Sequence, residues 1–107
     1  MAVADIEVDE LEAQLGRGAR LIDVREPDEY TGGHVPGAVS IPLATVPDHL
    51  EEFRGTDAVY VICQSGGRSR RAAEFVADHG IDVVNVAGGT GAWVASGRDT
   101  VEGDRPS

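Results

Sequence analysis

The sequence predicts one α/β domain built on a mostly parallel sheet. Three observations carry this. The chain has 107 residues, the common size of a single domain and too short for two independent cores. Apolar runs of strand length alternate with segments whose apolar residues recur at helical spacing, which implies right-handed crossovers between parallel strands. The run Ala58 to Ile62 (Ala-Val-Tyr-Val-Ile) is continuous and rich in β-branched residues, as a strand covered on both faces should be.

The elements follow in order. Val8 to Leu15 reads as a short helix with Leu11 and Leu15 on one face, closed by Gly16 and Gly18. Arg20 to Val24 is a short apolar run, a buried strand. Pro27 to Tyr30 makes one helical turn before Gly32 and Gly33, and Ala38 to Ile41 is a weak strand ending at Pro42. Val46 to Phe53 is predicted as a helix with Pro47 in its first turn. After the strand at Ala58 to Ile62 comes Gln64-Ser65-Gly66-Gly67, then a helix from about Ser69 to His79. It buries Ala72, Phe75, Val76 and His79, and Gly80 ends it. Asp82 to Val86 is the next strand, Gly88 to Gly91 a turn, and Ala92 to Ala95 a short helix. We expect a single domain over 1–107 with its core at about 6–97, residues 98–107 forming a polar, frayed tail.

Composition narrows the function classes. The chain is 41% hydrophobic and 26% charged, a globular balance. No apolar run approaches the roughly 20 residues that span a bilayer. The stretch Met1 to Asp9 is acidic and lacks the basic start of a signal peptide. The one cysteine, Cys63, excludes an intrachain disulfide and multi-cysteine zinc sites. A lone thiol fits a reducing compartment, so the expected location is the cytoplasm. The three histidines, His34, His49 and His79, show no ligand spacing, and neither metal nor cofactor is expected. The net charge is −10, and all nine bases are arginine. Such a surface repels nucleic acid and anionic membranes. The charge is uneven: residues 1–57 carry thirteen acids and four arginines, residues 58–97 three of each.

Ligands of such sheets sit beyond the carboxyl ends of the strands. Cys63 lies there, between the strongest strand and a helix, with four residues separating it from Arg68. A glycine-rich turn can point backbone N–H groups at one spot, and the following helix terminus adds positive partial charge. A sulfur at that focus would be held as thiolate. The alternative is a free cysteine packed at a strand end.

Four segments carry a family resemblance over roughly Ile6 to Gly97. They are Leu21-Ile22-Asp23-Val24-Arg25-Glu26, Gly33-His34-Val35-Pro36-Gly37-Ala38, Cys63-Gln64-Ser65-Gly66-Gly67-Arg68-Ser69 and Gly88-Gly89-Thr90-Gly91-Ala92-Trp93. In this order the chain resembles the single-domain rhodanese (sulfurtransferase) family. The resemblance implies a five-stranded parallel sheet with helices on both faces. It also implies a cysteine, here Cys63, that carries sulfane sulfur as a persulfide from a donor such as thiosulfate to cyanide, a thiol or a protein acceptor. The six-residue loop Cys63 to Arg68 matches that family. Related phosphatases use a loop one residue longer, fitted to a tetrahedral oxyanion.

By this resemblance Cys63 is the nucleophile. The amides of Gln64, Ser65, Gly66, Gly67, Arg68 and Ser69 would stabilise the persulfide anion. Arg68 either binds an anionic donor or braces the loop against Asp23 or Glu26. Asp23, Arg25 and His34 match motif positions and are expected to be architectural, and Trp93 a core anchor. Many thiosulfate-using relatives carry a cation just after the cysteine. Here Gln64 and Ser65 are neutral, Arg68 is the only loop charge, and Arg70 and Arg71 lie one turn on. A non-turnover sulfur carrier or partner-binding module is the alternative to an enzyme.

Overall fold

A computed structural model describes residues 3–107; Met1 and Ala2, at the head of the acidic N-terminal stretch, lie outside it. Five strands form one sheet: β1 (Ala4–Ile6), β2 (Arg20–Asp23), β3 (Val39–Ser40), β4 (Val59–Ile62) and β5 (Val83–Val86). The helices are α1 (Val8–Leu15), α2 (Pro27–Thr31), α3 (Gly67–Asp78) and α4 (Gly89–Ala95), with a 3₁₀ segment at Leu43–Phe53. The strand order is β1-β5-β4-β2-β3, every pair parallel, so β4 lies in the middle. This is the α/β layered fold that the alternation of elements predicts.

Strand alternation divides the core. In β4, Val59 and Val61 join Ala72, Ala73 and Val76 of α3 and Phe53 in one cluster. Ile62 joins Leu11 of α1, Tyr30 of α2 and Trp93 of α4 on the opposite face. Both faces of the strand are therefore covered, which is why it carries no charged residue.

Four sequence expectations change. The edge strand β1 was unmarked, because three residues with only Ile6 half-buried carry too little pattern. It pairs with β5 through Ala4–Val84 and Ile6–Val86. The helix expected at Val46 to Phe53 is a 3₁₀ segment that begins at Leu43. Pro47 has no N–H to give, and the chain kinks at His49 (φ −127°, ψ 25°), so an α-helical ladder cannot run through. His79 is exposed rather than buried: helix α3 stops at Asp78, and the imidazole rests on Phe75 with centroids 4.6 Å apart.

Residues 98–106 are not frayed. Val101 and His34 exchange two main-chain bonds of 2.9 Å, Gly103 N–H donates to the Thr31 carbonyl, and Gly37 N–H donates to the Pro106 carbonyl. The buried indole of Trp93 donates to the Asp99 carbonyl at 2.7 Å. The tail is held mainly by backbone groups, so its polar side chains gave no sign of it.

Candidate active site

Cys63 follows β4 at its carboxyl end and is fully buried on the α3 side of the sheet. Gly66, at φ +105°, turns the chain so that α3 can begin at Gly67. A side chain disfavours this conformation, and glycine does not. The turn aims the Gly66 N–H at the Cys63 Sγ, 3.1 Å away. Burial pushes the thiol up, but the Ser69 hydroxyl and the amides of Ser69, Gly66 and Ser65 outweigh it and hold it below the ordinary thiol range. The Ser69 hydroxyl has one proton, and it also lies 2.6 Å from Asn85 Oδ1. Reaching the sulfur means releasing that bond, so the amides are the constant donors.

The loop is braced from both sides. On one side, the Thr90 N–H donates to the Cys63 carbonyl at 2.8 Å and the Gly91 N–H to the Gln64 carbonyl at 2.9 Å. With these carbonyls held by α4, the N–H groups that follow are free to face the sulfur. This contact requires Gly89: a Cβ there would sit 2.5 Å from the Cys63 carbonyl oxygen and 2.6 Å from that of Gln64. On the other side, Asn85 Nδ2 donates to Asp5 Oδ1 at 2.9 Å, which leaves Asn85 Oδ1 facing Ser69. The Asn85 bond, and Arg70 beside it, hold the Asp5 carboxyl below its usual range.

Arg68 pairs with neither Asp23 nor Glu26. Its guanidinium donates to both oxygens of Glu29, at 2.7 and 2.9 Å. Asp23 is fully buried and already accepts three bonds from the Arg25 guanidinium and one from its main chain. Glu26 is engaged in the capping box of α2. The Arg68 bond holds the Glu29 carboxyl down to about 2 against the opposing push of burial, helped by the Glu26 N–H, and Glu29 raises the Arg68 guanidinium in turn.

Of the other predicted residues, Arg25 reaches the loop, donating to Gln64 Oε1 at 3.3 Å and to the Gly33 carbonyl at 2.8 Å. His34 does not join it. The imidazole stacks on Tyr30, with Nδ1 against the Tyr30 carbonyl and Nε2 against the Arg105 carbonyl, both at 2.8 Å. Arg70 pairs with Asp5 and Glu74. Arg71 is exposed beside Leu43, Pro47 and Phe75. Sequence reasoning missed Asp5, Glu29, Asn85 and Thr90. Asn85 alone left a signal, an amide inside an otherwise apolar strand.

Residues 7–96 match the Rhodanese-like domain. The chain belongs to that family. It is 36% identical over 96 residues to thiosulfate sulfurtransferase 16, chloroplastic, of Arabidopsis thaliana, covering 78% of this chain and 80% of that one. It is 42% identical over 74 residues to YrkF of Bacillus subtilis, a putative sulfur carrier protein, with 68% of this chain matched. The chain spans 40% of the length of YrkF and 62% of that of an uncharacterised Bacillus subtilis relative. The crystal structure of a rhodanese-like domain protein from Staphylococcus aureus superposes with a TM-score of 0.80 at 38% identity, covering 85% of this chain and 91% of that one. The rhodanese-like relatives thus include proteins named for sulfur transfer and for sulfur carriage. Among the described residues, no helix is long and apolar enough to cross a membrane.

Proposed function

We propose that this rhodanese-like domain is a sulfurtransferase that carries sulfane sulfur on Cys63. The supporting observation is the cradle itself: a cysteine sulfur at the end of the middle strand, faced by the amides of Ser65, Gly66 and Ser69, which favour the anion. In the first step the thiolate attacks the outer sulfur of the donor. With thiosulfate, the sulfur–sulfur bond of the donor breaks, sulfite leaves with the bonding pair, and Cys63 becomes a persulfide anion. In the second step cyanide or a thiolate attacks the terminal sulfur, leaving as thiocyanate or a new persulfide and returning the Cys63 thiolate. The loop amides stabilise the anion at both stages. Asp23 and Arg25 hold Gln64, and His34 holds the C-terminal segment. The lone thiol supports a reducing compartment, the cytoplasm.

The six-residue loop favours sulfur over a phosphate ester, and the intact Cys63 favours turnover over mere binding. The similarity to a putative sulfur carrier supports a second reading, in which Cys63 is loaded and hands its sulfur to one partner without multiple turnover. Intact-mass measurement tests the shared core. Treatment with thiosulfate or a polysulfide should add the mass of one sulfur atom to the wild type and none to a folded Cys63→Ser variant, whose hydroxyl is too weak an acid to form the carrier. A wild type that never gains sulfur, or transfer that survives in Cys63→Ser, overturns the proposal. Multiple turnover with cyanide separates the enzyme from the carrier.

A further inference from the structure

A cavity of about 630 Å³ opens at the amino ends of β2 and β4, between the turn that follows α1 and the loop that precedes β4. Cys63 lies at the other end of β4. Ala58, on the cavity wall, is five residues away, which at about 3.3 Å per residue is roughly 16 Å. Three arginines line the cavity, Arg17, Arg20 and Arg54, against one acid, Asp57. They are three of the four arginines in residues 1–57, the part of the chain that also holds thirteen acids. We infer that this cavity binds a small phosphate monoester, with Arg17 and Arg54 gripping the phosphate and the organic body lying against Tyr60. Cys63 takes no part in it, so the sulfur-transfer reading stands or falls separately.

The three guanidiniums are unequal. Arg20 is half-buried and spends its two terminal nitrogens on four main-chain carbonyls, those of Glu52, Phe53, Arg54 and Asp57, at 3.0 to 3.3 Å. It closes the loop before β4, and no carboxylate answers its charge among the described residues. Gly55 makes room for it, since a Cβ there would sit 2.6 Å from Arg20 Nη2. Arg54 gives Nε to Glu51 at 3.3 Å on the surface, which leaves both of its terminal nitrogens open. Arg17 is placed by its main chain, whose N–H donates to the Gln14 carbonyl at 3.0 Å. Its guanidinium has no hydrogen bond or ion pair among the described residues.

The charges and the walls say which ligand fits. A guanidinium engages oxygens in pairs, so one arginine saturates a carboxylate, whereas a phosphate group presents three oxygens that several arginines can share. Two open guanidiniums, with a third fixed behind them, suit the phosphate. The volume is in the range of about 300–1,000 Å³ usual for small-molecule sites, more than the bare ion fills. Ala19, Ala58 and the half-buried ring of Tyr60 offer apolar wall to an organic body. The Tyr60 hydroxyl has no hydrogen-bond partner among the described residues. Burial, with Glu10 and Asp82, holds that phenol above its ordinary range against the pull of Arg17, so it stays a neutral donor. The lining includes no thiol and no imidazole, and the site is one of binding rather than reaction.

The test follows the amide NMR shifts of the full chain during titration with AMP, ribose 5-phosphate, adenosine and inorganic phosphate. Both esters should shift residues 16–20 and 54–58 ahead of the loop at 63–69, and adenosine should not bind. Arg17→Gln and Arg54→Gln should each weaken the esters about three- to tenfold, the scale of a solvent-accessible charged contact. Asp57→Asn should tighten them, because it removes the repelling carboxylate from the wall. All three residues are exposed, so the variants keep the fold. AMP binding tighter than ribose 5-phosphate puts the base on Tyr60, and equal affinities put the sugar there; either upholds the site. Shifts confined to 63–69, adenosine matching AMP, inorganic phosphate matching both esters, or ester affinity unchanged in both arginine variants overturns the assignment. Persulfide formation on Cys63 in the same samples decides sulfur transfer independently.

Discussion

Gly89→Ala should damage the active-site loop from outside it, and the size of the effect follows from two independent terms. The residue has φ +62°, a left-handed conformation that costs a side chain about 1–2 kcal/mol. The added Cβ would also lie 2.5 Å from the Cys63 carbonyl oxygen and 2.6 Å from that of Gln64. Both contacts are with backbone, so no flexible side chain can give way. To clear them, α4 and the loop must separate, which forfeits one or both of the amide bonds from Thr90 and Gly91, about 0.5–1.5 kcal/mol each. The expected loss is roughly 2–5 kcal/mol, a fall in Tm of about 10 °C or more for a domain of this size. Gly80→Ala is the control. Its φ is +79°, yet nothing lies within 4 Å of the new Cβ, so only the backbone term applies. The assay is thermal melting of both variants together with the pH midpoint for iodoacetamide alkylation of Cys63. The midpoint should rise in Gly89→Ala alone, because the amides no longer converge on the sulfur. Equal melting losses in the two variants, with unshifted midpoints, would refute the idea that α4 positions the loop.

Two further outcomes test the charges around the loop. Wild-type Cys63 should be alkylated with a midpoint below the free-thiol value of about 8.5, and Ser69→Ala should raise that midpoint, since burial then meets only the amides; a wild-type midpoint at or above the free value would remove the cradle. Glu29→Gln should cost about 1 kcal/mol near neutral pH, the scale left to a half-exposed pair after solvent screening. The Glu29 carboxyl is depressed in the fold, so its contribution is complete above the ordinary value of 4.5 and is lost as the pH falls toward 2. Stability curves of wild type and variant should converge over that window, and curves that stay parallel across it would show that the pair contributes nothing. The variant also releases Arg68, which should raise kcat/KM for thiosulfate several-fold.

The loop was legible because its chemistry is contiguous: Cys63, two glycines and Arg68 lie within six residues, placed by one strongly patterned strand. Its tuning was not legible, because the groups that set it come from distant segments. Asp5 and Asn85 are 80 positions apart and meet only because β1 pairs with β5, and β1 is too short to announce itself. The partner of Arg68 shows the same limit. Asp23, Glu26 and Glu29 all lie near strand β2 and helix α2, and proximity in sequence cannot choose among them. The structure chooses by position. Arg25 saturates Asp23, Glu26 and Glu29 both serve the capping box of α2, and Glu29, whose Oε1 also accepts the Glu26 N–H, is the one whose carboxylate reaches Arg68. The same ion pairs set the charge that a donor would meet at the resting loop. Arg68 is the only cation within the loop, and it is already neutralised, while Arg70 just beyond is held by Asp5 and Glu74. A dianion must therefore displace Glu29 to gain the loop's own cation, whereas a donor of low charge can rely on the loop amides alone.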